Sequence, residues 1–312
     1  MKKRSSSRSN GVPNWLQAKL RTFNQDLFRP VDALPLGIFR CLFGFLLCVE
    51  FLVLSREAFP SDYIRPLFHF TYPLFDLLGL KPLSEPYLWF LFYILRISAV
   101  GIMLGLFTRV SLILFTSAFG YFFFMESAVY TNHYYLLFLL SFLMCFGHSG
   151  SIFSVDSLIR KNIRRERLDY WELFLLRFQI CVVFLFGALA KMNADWLIHA
   201  APLYLNFIRH FTLFGHPFQE KWMALVLSWA GMLSDLALGI LLTINRWPKL
   251  TFVWLCLFNG LNIFFFGLGI QTFPYLMISS YVLFLPASTV RDFTTRFVDG
   301  PFVTNLLRSR KI

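Results

Sequence analysis

WELFLLRFQICVVFLFGALAKMNADW, running from Trp171 to Trp196, decides the class of this chain. Its first part, Trp171 to Ala190, is a mostly apolar run of about 20 residues, the length that crosses a bilayer as a helix. The run stops on Lys191, and Asn193, Asp195 and Trp196 follow. A lysine placed there has two readings. At a helix end its ammonium ordinarily snorkels to the membrane surface. In a pocket closed to water the neutral amine is favoured instead, and that is the form a general base requires.

Similar runs recur along the chain, in which 57% of residues are hydrophobic and 19% aromatic. They predict an all-α, polytopic membrane helical bundle of about eight transmembrane helices. The expected spans are Leu34 to Leu54, Tyr87 to Phe107, Val110 to Val129, Tyr134 to Phe146, Trp171 to Ala190, Met223 to Ile244, Thr251 to Ile270 and Phe273 to Leu285. The fourth and eighth are short for a bilayer. The first begins too late, and runs too long, for a cleaved signal peptide.

With eight spans both termini share one side, and basic residues gather there. Lys2, Lys3, Arg4, Arg8, Lys19, Arg21 and Arg29 precede the first span, and Arg291, Arg296, Arg308, Arg310 and Lys311 follow the last. The same side receives Arg109, the cluster Arg160, Lys161, Arg164, Arg165 and Arg167, and the pair Arg246 and Lys249. The other side holds Arg56, Arg65, Lys81, Arg209 and Lys221. Twenty against five predicts cytoplasmic termini. The net charge of +12 is then a topology signal, suited to anionic lipid heads, and gives little support to nucleic-acid binding.

Cys41, Cys48, Cys145, Cys181 and Cys256 all fall within expected spans at no metal-ligand spacing and read as packing residues. No glycine-rich phosphate loop, His/Cys cluster or nucleophile elbow is present, which argues against a nucleotide-driven pump or a zinc peptidase. No internal repeat suggests an inverted-repeat transporter. Residues 1–29 read as a basic tail followed by an interfacial helix, with Trp15, Leu16, Leu20, Phe23 and Leu27 near one face. Residues 30–288 form the membrane domain, and residues 289–312 a cytoplasmic tail. Ser154 or Asp156 caps a short helix in the basic loop.

The topology brings particular polar residues to the outer end of the bundle. His133 lies in the turn between the third and fourth spans, and Lys191 ends the fifth on that same side. A polar pocket there would combine His133, Asn132, Lys191 and an asparagine of the seventh span, Asn259 or Asn262. For His133 alone, an imidazole bonded to a backbone carbonyl at the interface is an equal reading.

The ordered set Asn132-His133-Tyr134-Tyr135-Leu136, Ser154-Val155-Asp156, Leu176-Arg177-Phe178-Gln179-Ile180 and Gly187 to Trp196 resembles the membrane domain of vitamin K-dependent gamma-carboxylases, within the wider HTTM (horizontally transferred transmembrane) group. The resemblance runs from about Pro30 to Pro286. It implies that Lys191 stands where the carboxylases have their base lysine, and His133 where they have a functional histidine. It also implies a reduced vitamin K or another naphthohydroquinone as cofactor. In that family the lysine deprotonates the quinol, whose anion reacts with oxygen to give a strongly basic alkoxide; this removes a proton from the gamma carbon of a glutamate, carbon dioxide adds, and the quinone leaves as an epoxide. Asn132, Asn259 and Asn262 would then supply hydrogen bonds around the quinone. Asn259 stands in the register of a second functional histidine of the carboxylases, and a neutral amide has no acid/base role. The carboxylases also continue into a large extramembrane domain, whereas about 27 residues follow Leu285 here. Another protein, or the outer loop from Asp195 to Trp222, would present a glutamyl peptide.

Arg40, Glu50, Arg96, Glu126, Glu172, Arg177 and Asp235 fall in or beside spans and are expected to form arginine–carboxylate pairs, with Asp235 the candidate supporting group for the site. The leading expectation is a carboxylase-like membrane enzyme that acts on a reduced quinone, with or without peptide carboxylation. The alternative is a non-catalytic membrane factor for maturation or export of a secreted peptide, a role found among short members of the group; a transporter ranks third. The compartment expected is a bacterial cell membrane.

Overall fold

The computed structural model describes residues 14–56, 58–210, 212–213, 216–217, 220–267 and 272–298. The basic tail expected up to Gly11, and the side chains of Trp15, Leu16 and Leu20, lie outside the described residues. Helix α1 (Asn14–Leu27) is present as expected, and its Phe23 ring packs edge-on against Phe174, 6.1 Å between centroids.

Strand β1 (Pro30–Asp32) leads into α2 (Leu34–Cys48), which continues as a π-helix over Val49–Leu54. A long linker containing the short α3 (Pro73–Leu77) leads to α4 (Glu85–Leu104), α5 (Thr108–Met125) and α6 (Asn132–Met144). Helix α7 (Val155–Ile159) and strand β2 (Arg167–Asp169) precede α8 (Tyr170–Ala190). The short α9 (Ala194–Leu197) and α10 (Ala201–His210) follow, then a small ladder of β3 (Thr212–Leu213) with β4 (His216–Pro217). The chain then forms α11 (Lys221–Ile244), α12 (Pro248–Phe266), α13 (Phe273–Ser280), a 3₁₀ turn over Tyr281–Phe284 and α14 (Ala287–Val298).

Helix boundaries follow local chemistry. Pro86 sits in the first turn of α4, where its missing N–H costs nothing, and Gly105 (φ 68°) ends the helix in the left-handed region. Asn245 (φ 48°) ends α11, and Pro248 starts α12. Ser154 caps α7 by accepting from the Ser157 N–H at 3.0 Å, the first of the two caps expected.

Each of the eight apolar runs contains a helix, but fewer are full spans. Among the described residues six helices are long and apolar enough to cross a membrane: Leu34–Leu54, Glu85–Leu104, Thr108–Met125, Tyr170–Ala190, Lys221–Ile244 and Pro248–Phe266. A seventh results if Phe273–Phe284 and Ala287–Thr295, bent by 109° to each other, count as one span. Asn132–Met144 stays short, at 13 residues. By length the expected eight becomes six or seven among the described residues, because the fourth run's helix is short and the eighth run is short and bends away at its end.

Two ends of the bundle are defined by contacts. β1 and β2 pair antiparallel, Pro30 opposite Asp169, so α2 and α8 start side by side. Asp32 accepts from Arg291 Nε at 2.6 Å, which fixes α14 at this same strand end. The α4–α5 corner is also here: Asp156 accepts from the N–H groups of Phe107 (2.8 Å) and Thr108 (2.7 Å) and from the Thr108 hydroxyl (2.9 Å). Arg40, fully buried, donates to the carbonyls of Ile102 (2.6 Å), Met103 (3.1 Å) and Phe153. One residue thus serves the free donors of the α5 N-terminus and the other the free acceptors of the α4 C-terminus. Helix α8 runs from here, packed against α11, to the opposite end, where Lys191 lies.

The expected arginine–carboxylate pairs do not form. Arg40 goes to carbonyls, Arg177 donates to the Leu283 carbonyl at 2.7 Å, and Arg96 lies over the Phe92 ring at 5.3 Å. Glu172 accepts from the His148 N–H (2.6 Å) and meets its Nδ1 (3.0 Å), while Glu126 meets His69 Nδ1 at 3.2 Å. Backbone groups at helix ends are nearer and equally in need of partners, and that decides the pairing. Of the cysteines expected to be packing residues, Cys48 and Cys181 are buried and Cys41, Cys145 and Cys256 half-buried, all as free thiols.

Asp156→Ala should destabilise the protein by about 3 kcal/mol, since it strips three charge-assisted bonds from a helix start. The check is thermal unfolding in detergent, read by exposure of the buried cysteines. Asp292→Ala, at an exposed position, should move the midpoint little.

Candidate functional site

The site grows from the way α8 ends. The Lys191 N–H still bonds to the Ala188 carbonyl (3.1 Å), but the Asn193 amide then donates to the Ala190 carbonyl (2.7 Å) and its Oδ1 accepts from the Trp196 N–H (3.0 Å). This single asparagine closes one helix and caps the next. The resulting turn folds Trp196 back, so that Lys191 Nζ lies 5.4 Å from the centre of the indole ring, within cation–π range. Trp229 Nε1 donates to the Leu197 carbonyl (3.0 Å) and holds α9 against α11.

From α11, Asp235 meets this lysine: Nζ donates to Oδ2 in an ion pair whose side chains are 22% and 8% exposed. Gly187, one turn before the lysine, gives the carboxylate room. A Cβ there would lie 3.3 Å from Oδ2.

Lys191, with Asp235 behind it, borders a cavity of about 270 Å³. Leu203 of α10, Leu227, Ala230, Gly231 and Ser234 of α11, Phe258, Leu261, Asn262, Phe265 and Phe266 of α12, and Phe273 of α13 complete its wall with Lys191 and Trp196. The lining is aromatic and apolar, with Lys191, Ser234 and Asn262 as its polar points. Ala230 and Leu261 are also exposed on the outside of the bundle, so the cavity reaches the face that lipid would cover.

Of the expected site residues, Lys191 and Asn262 share this cavity. Asn259 does not line it. It is buried one turn earlier, donates to the Leu255 carbonyl at 2.9 Å, and its Oδ1 has no partner among the described residues. Asn132 and His133 start α6 elsewhere at the same end. Asn132 accepts from the Tyr130 hydroxyl at 3.0 Å, and the His133 ring lies edge-on to Tyr134 at 4.7 Å.

Next to His133 is a second polar cluster that reading the sequence missed as a unit. Glu50, with no exposed surface, accepts from the hydroxyls of Ser55 (2.6 Å), Tyr134 (3.2 Å) and Thr272 (2.9 Å). Its position on a π-helix, where the Ser55 N–H reaches the Glu50 carbonyl at 2.7 Å, turns it into the bundle. The neighbouring residue of Thr272 is Phe273, which lines the cavity, so one dipeptide links the Glu50 cluster to the cavity wall. Glutamate in a span is itself a signal of function or partnership. Its partners lie far along the chain, and nothing in the sequence joins them. Among the described residues no cluster of His, Cys, Asp and Glu forms a metal site.

Compared with known families, the chain matches the HTTM domain over residues 28–288. No solved structure matches it.

The ion pair makes an asymmetric prediction. Lys191→Met should cost about 3 kcal/mol by leaving the deeper carboxylate uncompensated, while Asp235→Leu should cost less because the lysine reaches the surface. The double variant should recover most of the loss in thermal unfolding, and strictly additive costs would contradict the pairing.

Proposed function

Because the chain belongs to the HTTM domain family, we propose that it is an integral membrane enzyme that acts on a reduced naphthoquinone of the vitamin K type, with Lys191 as its base. The observation that carries this reading is the Lys191–Asp235 pair set against an aromatic cavity that reaches the lipid-facing side. The residues suit such a quinol. Phe258, Phe265, Phe273 and Trp196 offer faces to a fused ring, Asn262 and Ser234 offer hydrogen bonds to its oxygens, and an apolar tail would leave past Ala230 and Leu261.

When bound, a reduced quinone would supply the electrons and, with oxygen, the strong base that the carboxylase chemistry uses. The chain's own part is to take one proton. The Lys191 ammonium would first pass a proton to Asp235 Oδ2, and the neutral Nζ would then accept the proton of the bound hydroxyl, so the amine ends with the charge it began with, the carboxyl is neutralised and the negative charge passes to the hydroxyl oxygen. The apolar wall keeps water from that step, and Asn262 holds the oxygen left with negative charge. His133 and Asn132, beside the Glu50 cluster, would act as donors at the outer rim. A glutamyl peptide, if it is the acceptor, would reach the cavity from the Lys191 end, supplied by another protein.

Orientation follows from charge. The strand end carries the Arg160 to Arg167 cluster and would face the cytoplasm with both termini, leaving the Lys191 end outside. A bacterial cell membrane is the proposed location.

The same ion pair also favours a second reading. An ammonium joined to a carboxylate ties α8 to α11, and a non-catalytic factor for maturation or export of a secreted peptide needs no more than that.

The two separate in one assay. Purified protein in nanodiscs, given a naphthohydroquinone and oxygen, should consume quinol, and Lys191→Ala should slow it by about 10²- to 10⁴-fold, the usual worth of a general base. Absent turnover, or turnover indifferent to Lys191→Ala, would leave the non-catalytic reading.

A further inference from the structure

Between the π-helix after α2 and the start of α4, the linker turns an apolar surface outward. Leu67 is 99% exposed and Leu77 83%, and Phe68, Phe70, Leu74 and Leu78 are exposed with them. In a water-facing loop such a density of large apolar side chains would be costly.

Polar groups of the same stretch are paired, with His69 half-buried, while the charged Asp76 and Lys81 stay exposed, as a position at the level of the headgroups allows. His69 Nδ1 meets Glu126 Oε2 at 3.2 Å, and the Thr71 hydroxyl donates to Asp76 at 2.9 Å. The backbone is served too. The Tyr72 N–H bonds to the Phe124 carbonyl (3.1 Å), the Ser127 N–H to the Phe70 carbonyl (2.7 Å), and the Leu80 N–H to the Phe75 carbonyl (3.1 Å) past Gly79, whose φ of 67° closes α3. Burial holds the Tyr72 phenol above its usual range. Large apolar side chains outside, backbone groups paired within, and the few exposed charges confined to Asp76 and Lys81 suit the boundary between headgroups and acyl chains better than open water.

Depth is fixed by α5. The Tyr121 hydroxyl donates to the Lys81 carbonyl (2.9 Å) and accepts from the Leu83 N–H (3.0 Å). Tyr121 lies one turn, about 6 Å, inside the end of this span. Phe75, buried, packs edge-on against the Tyr121 ring at 5.3 Å. Beyond the exposed Lys81 and Glu85, the outward apolar surface resumes at Tyr87, Phe90 and Ile97, the exposed strip of α4.

We propose that residues 66–83 form a half-inserted loop, lodged at the boundary of headgroups and acyl chains in the leaflet at the Lys191 end, with lipid as its partner. This rests on the membrane fold alone and is independent of the catalytic reading.

The test is Leu77→Cys carrying a spin label, in phosphatidylcholine vesicles, against the chain without the added cysteine and against Arg164→Cys at the basic end. The label at 77 should collide more with oxygen, which concentrates in lipid, than with a water-soluble nickel chelate, and the label at 164 should show the reverse. Free access of the chelate to position 77 would overturn the proposal. So would protection from both quenchers, which would mean a protein partner or a second copy covers the loop. Because Leu77 is exposed, the substitution should not disturb folding.

Discussion

An ammonium and a carboxylate placed in a lipid-solvated bundle are tolerated only together. Each alone would carry a large desolvation cost, and the pair persists because one partner lies at a helix end and the other deeper in a neighbouring helix. Everything around Lys191 serves that meeting. Gly187 lets the Asp235 carboxylate approach α8, Asn193 ends the helix at the right residue, and Trp196 covers the amine. What remains beyond the pair is a cavity whose other walls are aromatic.

The opposite end is organised by different means. Arg40 and Asp156 serve the exposed carbonyls and N–H groups where α4 turns into α5, and the β1–β2 ladder aligns the starts of α2 and α8. Backbone groups at helix ends have no water to fall back on near the membrane, so charged side chains go to them before they go to each other. One end is therefore built for cohesion, and the other holds an ion pair at the edge of a cavity.

Much of this was legible in advance, for reasons that can be named. Long apolar runs declare helices whatever their neighbours, and a lysine followed by Asn193 and Trp196 at the end of such a run marks a special terminus. Span number was less legible, because hydrophobicity does not say whether the ends of a short run, as at Asn132–Met144, extend or turn. Partner choice was only partly legible, since Asp235 stood out as a candidate supporting group but not as the partner of Lys191. Asp235 is 44 residues from Lys191, and the hydroxyls on Glu50 come from Ser55, Tyr134 and Thr272 in three parts of the chain. Asn259 and Asn262, three residues apart, differ by about 60° around α12. Only the packed neighbours decide that one is buried and the other reaches the cavity.

The most direct measurement is the rate at which an amine-reactive probe modifies Lys191 in nanodiscs, compared with the exposed Lys221. If the lysine is a base held by Asp235 at a quinol site, it should react far more slowly than Lys221 and be protected further by added naphthoquinone. Equal reactivity of the two lysines, unchanged by the quinone, would contradict the account.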